Sequence, residues 1–384
     1  MFPESMMLDY ATLRIIWWVL LGLLLIGFII MDGFDMGIAI LMPIVAKNNT
    51  EKRVLMNSIA TVWEGNQVWL ITGAASIFAA WPAIYALVFS GFYYAMLLVL
   101  LALVLRPVGF DFRNKIDNDT WRKVWDICLF ISGFVPTLVF GVAVGNVLLG
   151  IPFLFDDSLR VIYRGTFLGL FTPFSLFCGC VSLLMVIMHG AVYLTLKTES
   201  IIANRCKKIV YIVSCLLVIL FIYGYFWVHN LPGYILEGSY IEHGPSNPLY
   251  KMAMVKIGAW LDNYDRYPLF KVVPIIAVIT LGLTALLVYL RKEKLSFITS
   301  SIALACIVGT VGLSMFPFIV PSSISPASSL TVWDTSSSRA TLYSMMLAVM
   351  FFLPIILLYT AWVYKMVKGK ISVEYIEQNQ KTLY

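Results

Sequence analysis

Residues Asn57 to Trp69 read NSIATVWEGNQVW and place a carboxylate, Glu64, inside what otherwise reads as a membrane-spanning helix. An acidic residue at membrane depth is costly unless it is protonated, paired or wetted, so its position is a functional hypothesis in itself. On a continuous helix Asn57, Thr61, Glu64 and Gln67 stack along one face. This spacing predicts a polar seam, with Trp63 and Asn66 beside it.

The composition around this stretch sets the class. A mean hydropathy of +0.88, with 60% hydrophobic and 12% charged residues over 384 positions, lies far from the roughly 25% charged residues of soluble domains. With about 20 residues needed per span, such a chain holds eight to ten spans in a single membrane domain covering residues 1–384. The first ten residues, MFPESMMLDY, lack the basic region and cleavage site of a signal peptide, so the first helix is expected to be retained. Six scattered cysteines show neither CxxC nor zinc spacing and read as membrane-core packing. The net charge of +6 follows from how membrane proteins orient, and no nucleic-acid partner is inferred from it.

Apolar runs between charged or Pro/Gly-rich breaks predict nine helices, at roughly 11–45, 54–80, 83–106, 122–150, 166–196, 203–229, 270–290, 295–319 and 339–366. Placing the first connection inside puts nineteen of the 27 basic residues on the cytoplasmic side. This predicts the N-terminus outside and the C-terminus in the cytoplasm. Residues 230–269 then form a long outer loop, of a length usually tied to function or a partner. A second outer segment, Pro321 to Ser338, ends with Asp334 and Thr335 as helix-capping candidates. The last residues, EYIEQNQKTLY, read as a polar tail.

In the first helix the run MDGFDMG places Asp32 and Asp35 three residues apart on one side, with Gly33 and Gly37 allowing close backbone approach. With about 1.5 Å rise per residue, Asp35 falls toward the cytoplasmic end and Glu64 roughly 15 Å deep, giving the order cytoplasm, aspartates, Glu64. No lysine or arginine is placed at comparable depth. Carboxylates in series, with hydroxyl and amide companions such as Thr61, Asn66 and Gln67, suit a proton relay. Helix packing or pairing with another subunit is the competing explanation for each. His189 is the single histidine within a span and so the one histidine placed to ligate a haem iron; an ordinary packed histidine is its alternative reading. No P-loop, GxGxxG, HExxH or GxSxG is present.

Several stretches together, LRIIWWVLLGLLLIGFIIMDGFDMG, WEGNQVWLITG, FAAWP, FSGFYYAM, RPVGFDFRNKI, MFPFIVPSS and SLTVWDTSSS, resemble subunit II of the cytochrome bd-type quinol oxidases. The likeness runs over nearly the whole chain in family order. It implies an all-α integral membrane protein of two four-helix bundles plus one peripheral helix, in a bacterial inner membrane. It also implies a partner, subunit I, that carries the b- and d-type haems and the quinol-binding loop, so that no catalytic group, metal or haem belongs to this chain. Small single-helix subunits, membrane lipids and a structural quinone are further associates in some relatives. The complex oxidises quinol, reduces oxygen to water and generates proton-motive force with protons drawn from the cytoplasm. Carried over residue by residue, Glu64 matches the acid of the W-(D/E)-G-N motif on a proton route at the subunit interface, and Asp32 and Asp35 match the acidic pair of the first helix. An oxygen route through this subunit is associated with some members, and the resemblance implies Trp63 and its neighbours as its wall. A purely structural subunit and a free-standing proton-coupled transporter are the rival readings.

Overall fold

The computed structural model describes residues 8–238, 242–367 and 369–378; the start of MFPESMMLDY and the end of the polar tail lie outside them. Thirteen α-helices are described: α1 (Tyr10–Val45), α2 (Asn49–Ile59), α3 (Trp63–Ala80), α4 (Pro82–Gly91), α5 (Tyr93–Phe112), α6 (Asp119–Leu149), α7 (Pro173–Lys197), α8 (Ser200–His229), α9 (Asp262–Arg266), α10 (Val272–Tyr289), α11 (Glu293–Met315), α12 (Arg339–Met366) and α13 (Val373–Gln378). Eight of them, α1, α5, α6, α7, α8, α10, α11 and α12, are long and apolar enough to cross a membrane.

The helices pack as two groups of four. α1, α3, α5 and α6 form one, α7, α8, α10 and α11 the other, and α1 and α6 join them by packing on α7. The join is close because Gly37 of α1 meets Gly190 of α7: a Cβ at Gly190 would stand 2.8 Å from the Gly37 carbonyl carbon. Gly33, paired with Gly37 in the sequence reading, makes only ordinary contacts at 3.6 Å or more. α12 is peripheral, touching α1 with little of its length buried. Capping follows the local sequence: Asn118 accepts from the Thr120 and Trp121 amides at the start of α6, and Thr172 caps α7 just before Pro173.

Three predicted spans differ. The span at 54–80 is two helices, α2 and α3, with a turn at residues 60–62. The span at 83–106 extends to Phe112 and is broken at Phe92. The first residues of the 166–196 span follow a two-stranded hairpin, β1 (Phe153–Phe155) with β2 (Val161–Tyr163), and α7 begins only at Pro173.

The connections predicted as outer loops contain paired strands. Within residues 230–269, β3 (Pro232–Glu237) pairs antiparallel with β4 (Met252–Ile257). The second segment contributes β5 (Phe318–Val320) and β6 (Leu330–Thr331). Asp334 does not cap α12. It accepts from the Thr331 amide and pairs with buried Lys251 at 2.6 Å, while Ser338 supplies the cap. Arg14, fully buried near the start of α1, donates to Ser336 Oγ at 2.8 Å and to the Gly244 carbonyl at 3.0 Å, tying both segments to that helix.

At the other end, α13 sets Ile376 into a cluster with Val54 and Leu55 of α2, so part of the polar tail is a docked helix. Of the six cysteines, all free, Cys206 alone is fully buried, whereas Cys180 and Cys215 are exposed.

Candidate functional site: a buried acid cluster

Asp32 and Asp35 are both buried, on the face of α1 that looks into the first bundle. Asp32 Oδ1 accepts from Arg106 Nη1 of α5 at 2.5 Å, and the arginine is equally buried. This corrects the expectation that no basic group lies at the depth of the acids. Ending the third span at Arg106 hid it; α5 continues well over a turn beyond, to Phe112, and carries Arg106 inward.

Asp35 is held differently. Its Oδ2 accepts from Asn66 Nδ2 at 2.8 Å, and Asn66 Oδ1 accepts from the Tyr364 hydroxyl of α12 at 2.7 Å. Among the described residues its Oδ1 has no hydrogen-bond partner, nor do Asp32 Oδ2, Arg106 Nε or Arg106 Nη2. Beside them lies a cavity of about 10 Å³ lined by Asp35, Arg106, Phe110 and, from α2, Met56 and Ile59. That is close to the smallest space able to hold one water; Asp35 and Arg106 are the polar residues of an otherwise apolar lining.

The expected polar seam does not form, because the turn at residues 60–62 rotates α3 relative to α2. Asn57 is buried on α2 and donates to the Arg53 carbonyl, Thr61 is exposed in the turn, and Gln67 is half-buried. Glu64 is exposed at the first turn of α3. It heads a stripe with Val68, Ile71 and Phe78, all exposed on the same side. Since Asn66 reaches Asp35, Glu64 lies near the level of Asp35 rather than deeper, which corrects the expected order. Trp63 is buried and stacked on Phe110 with ring centroids 5.4 Å apart.

His189 has both ring nitrogens engaged. Nε2 faces the Ile30 carbonyl at 3.0 Å and Nδ1 the Ser300 hydroxyl at 2.9 Å. A carbonyl only accepts, so Nε2 carries the proton; Nδ1 lies against the Ser300 hydroxyl, which also has the Phe297 carbonyl within reach at 2.9 Å. Ligating iron would require breaking one of these bonds. Among the described residues, no group of three or more His, Cys, Asp or Glu side chains is placed to hold a metal ion.

Sequence reasoning singled out Asp32, Asp35 and Asn66 and missed Arg106 and Tyr364. The sequence hid Arg106 behind Pro107 and Gly109, which read as a helix end although α5 runs through both. For Tyr364, at the far end of the chain from α1, no local signal existed.

Buried acids on a two-bundle helical scaffold define a polytopic membrane protein with an internal acid–base cluster. The family model for cytochrome bd terminal oxidase subunit II matches residues 13–367, and the chain belongs to that family. It is 46% identical over 379 residues to cytochrome bd-I ubiquinol oxidase subunit 2 of Escherichia coli K12, covering 98% of this chain and 100% of the relative. It is also 44% identical to a probable cytochrome oxidase subunit 2 of Haemophilus influenzae, at the same coverage. The fold matches a chain of the bd oxidase from Geobacillus thermodenitrificans with a TM-score of 0.68, at 16% identity, over 92% of this chain and 98% of that one. The chain is thus a subunit of an oxidoreductase complex.

Proposed function

We propose that this chain is the haem-free subunit II of a quinol oxidase in a bacterial inner membrane. In this reading it supports the haem-bearing subunit I, which oxidises quinol and reduces oxygen to water, and it lines a proton route from the cytoplasm through Asp35 and Glu64.

The observation that carries the reading is the asymmetry of Asp35: one oxygen is fixed by Asn66, and the other is unpartnered, on a residue lining a water-sized cavity that reaches α2. A carboxyl group so placed can take a proton from a bridging water and release it again. Glu64 supports the subunit interface. A carboxylate heading an apolar stripe on the outside of a membrane bundle needs a partner or water, and subunit I supplies both in this reading. Asp32 takes a different part. Its ion pair with Arg106 favours the structural role, a fixed charge pair beside the moving proton.

The test is Glu64→Gln in the assembled complex. Quinol-driven oxygen consumption is expected to slow with haem content unchanged. Undiminished turnover would remove Glu64 from the route, and loss of haem incorporation would make it a structural residue.

A further inference from the structure

We infer that Tyr364, on the peripheral helix α12, is a positioning residue for Asp35: by holding the Asn66 amide it decides which oxygen of the carboxyl group exchanges a proton. The inference rests on the reading of Asp35 as a proton carrier. An amide has one accepting and one donating end. The phenol hydroxyl donates to Asn66 Oδ1, which turns Asn66 Nδ2 toward Asp35, and Asp35 Oδ2 is then confined to accepting. A proton on Asp35 must sit on Oδ1, the oxygen without a protein partner. Without the Tyr364 hydroxyl, the amide is free to turn its carbonyl toward Asp35, and Oδ2 becomes a proton-bearing atom as well.

The geometry also links a distant element to the site. α12 is scarcely buried along its apolar window, yet Tyr364 reaches buried Asn66 at the start of α3. The other ionisable groups facing Asp35 are Asp32 on α1, Arg106 on α5 and Tyr193 on α7. Tyr193 donates to the Ser58 carbonyl at 3.2 Å, and Arg106 pairs with Asp32, so neither is disturbed by removing one hydroxyl from α12.

The test compares wild type, Tyr364→Phe and Asn66→Leu in the purified oxidase complex. Two readouts are taken: the pH profile of quinol-driven oxygen consumption, and the infrared carboxyl stretch assigned to Asp35 by its loss in Asp35→Asn. Loss of one hydrogen bond to the carboxylate is expected to move the profile toward alkaline pH by about half to one unit, and to raise the stretching frequency. Asn66→Leu removes the same link from its other end and gives the same two readouts where Tyr364→Phe yields no complex. An unmoved profile and an unmoved band overturn the inference, even where the variants lower stability. Full turnover in Asp35→Asn together with a displaced band would sink the relay and leave the positioning role standing.

Discussion

Arg106 donates to Asp32 across 2.5 Å at a place where both side chains are at most 1% exposed. Two buried charges are tolerated only while they stay together. Removing one partner leaves the other uncompensated, at a cost of about 3–5 kcal/mol, whereas removing both is often close to neutral. Arg106→Leu is therefore expected to lower the thermal stability of the complex sharply, and adding Asp32→Asn is expected to restore most of it. Additive losses in the double variant would show that the pair is not the relevant interaction.

The glycines of α1 give a sharper steric contrast. A methyl group at Gly37 would run into the Val186 carbonyl on α7, and backbone cannot step aside as a side chain can. Gly33 has room, with the nearest atoms at 3.6 Å. Gly37→Ala should cut the yield of assembled complex severely and Gly33→Ala should not, as measured by haem content per milligram of membrane protein.

Glu51 carries a pH dependence. Burial pushes its carboxyl group up, but hydrogen bonds from Arg205 and the Lys47 amide, with the Arg205 charge, outweigh burial and leave it below its ordinary value of 4.5. Because the folded state then binds this proton less tightly than the unfolded state, the stabilisation is fully present above about pH 4.5 and is lost as the pH falls through the folded value. Protection of residues 46–52 against hydrogen exchange, corrected for the intrinsic rate, should fall on acidification in the wild type. In Glu51→Gln it should already be low at pH 7 and change little.

His189 tests the haem-free reading. Both of its nitrogens are committed within the chain, so His189→Asn is expected to leave the b- and d-haem spectrum and the haem-to-protein ratio unchanged. Loss of one haem equivalent would contradict that reading.

Much of this architecture was legible in the sequence, since apolar length alone locates spans such as Asp119–Leu149 and Arg339–Met366 within a few residues. The failures share a cause. Reading Asn57 to Trp69 as one helix assumed that helical spacing implies helical continuity, but the chain turns at residues 60–62 and sends Asn57 and Glu64 to different surroundings. Treating Arg106 as the end of a span applied a rule about exposed charges to one that is buried against Asp32. The contact from Tyr364 to Asn66 joins positions 298 residues apart, a relationship set by bundle packing and not by any local pattern. Asp35 was visible as an acid in a helix, but the state of its two oxygens was not.

The most direct test of the account is quinol-driven oxygen consumption by the purified complex carrying Asp35→Asn, with haem content measured on the same sample. The account predicts turnover reduced by about tenfold or more, equivalent to at least 1.4 kcal/mol on the rate-limiting barrier, with haems fully incorporated. Wild-type turnover in a fully haem-loaded Asp35→Asn complex would contradict it.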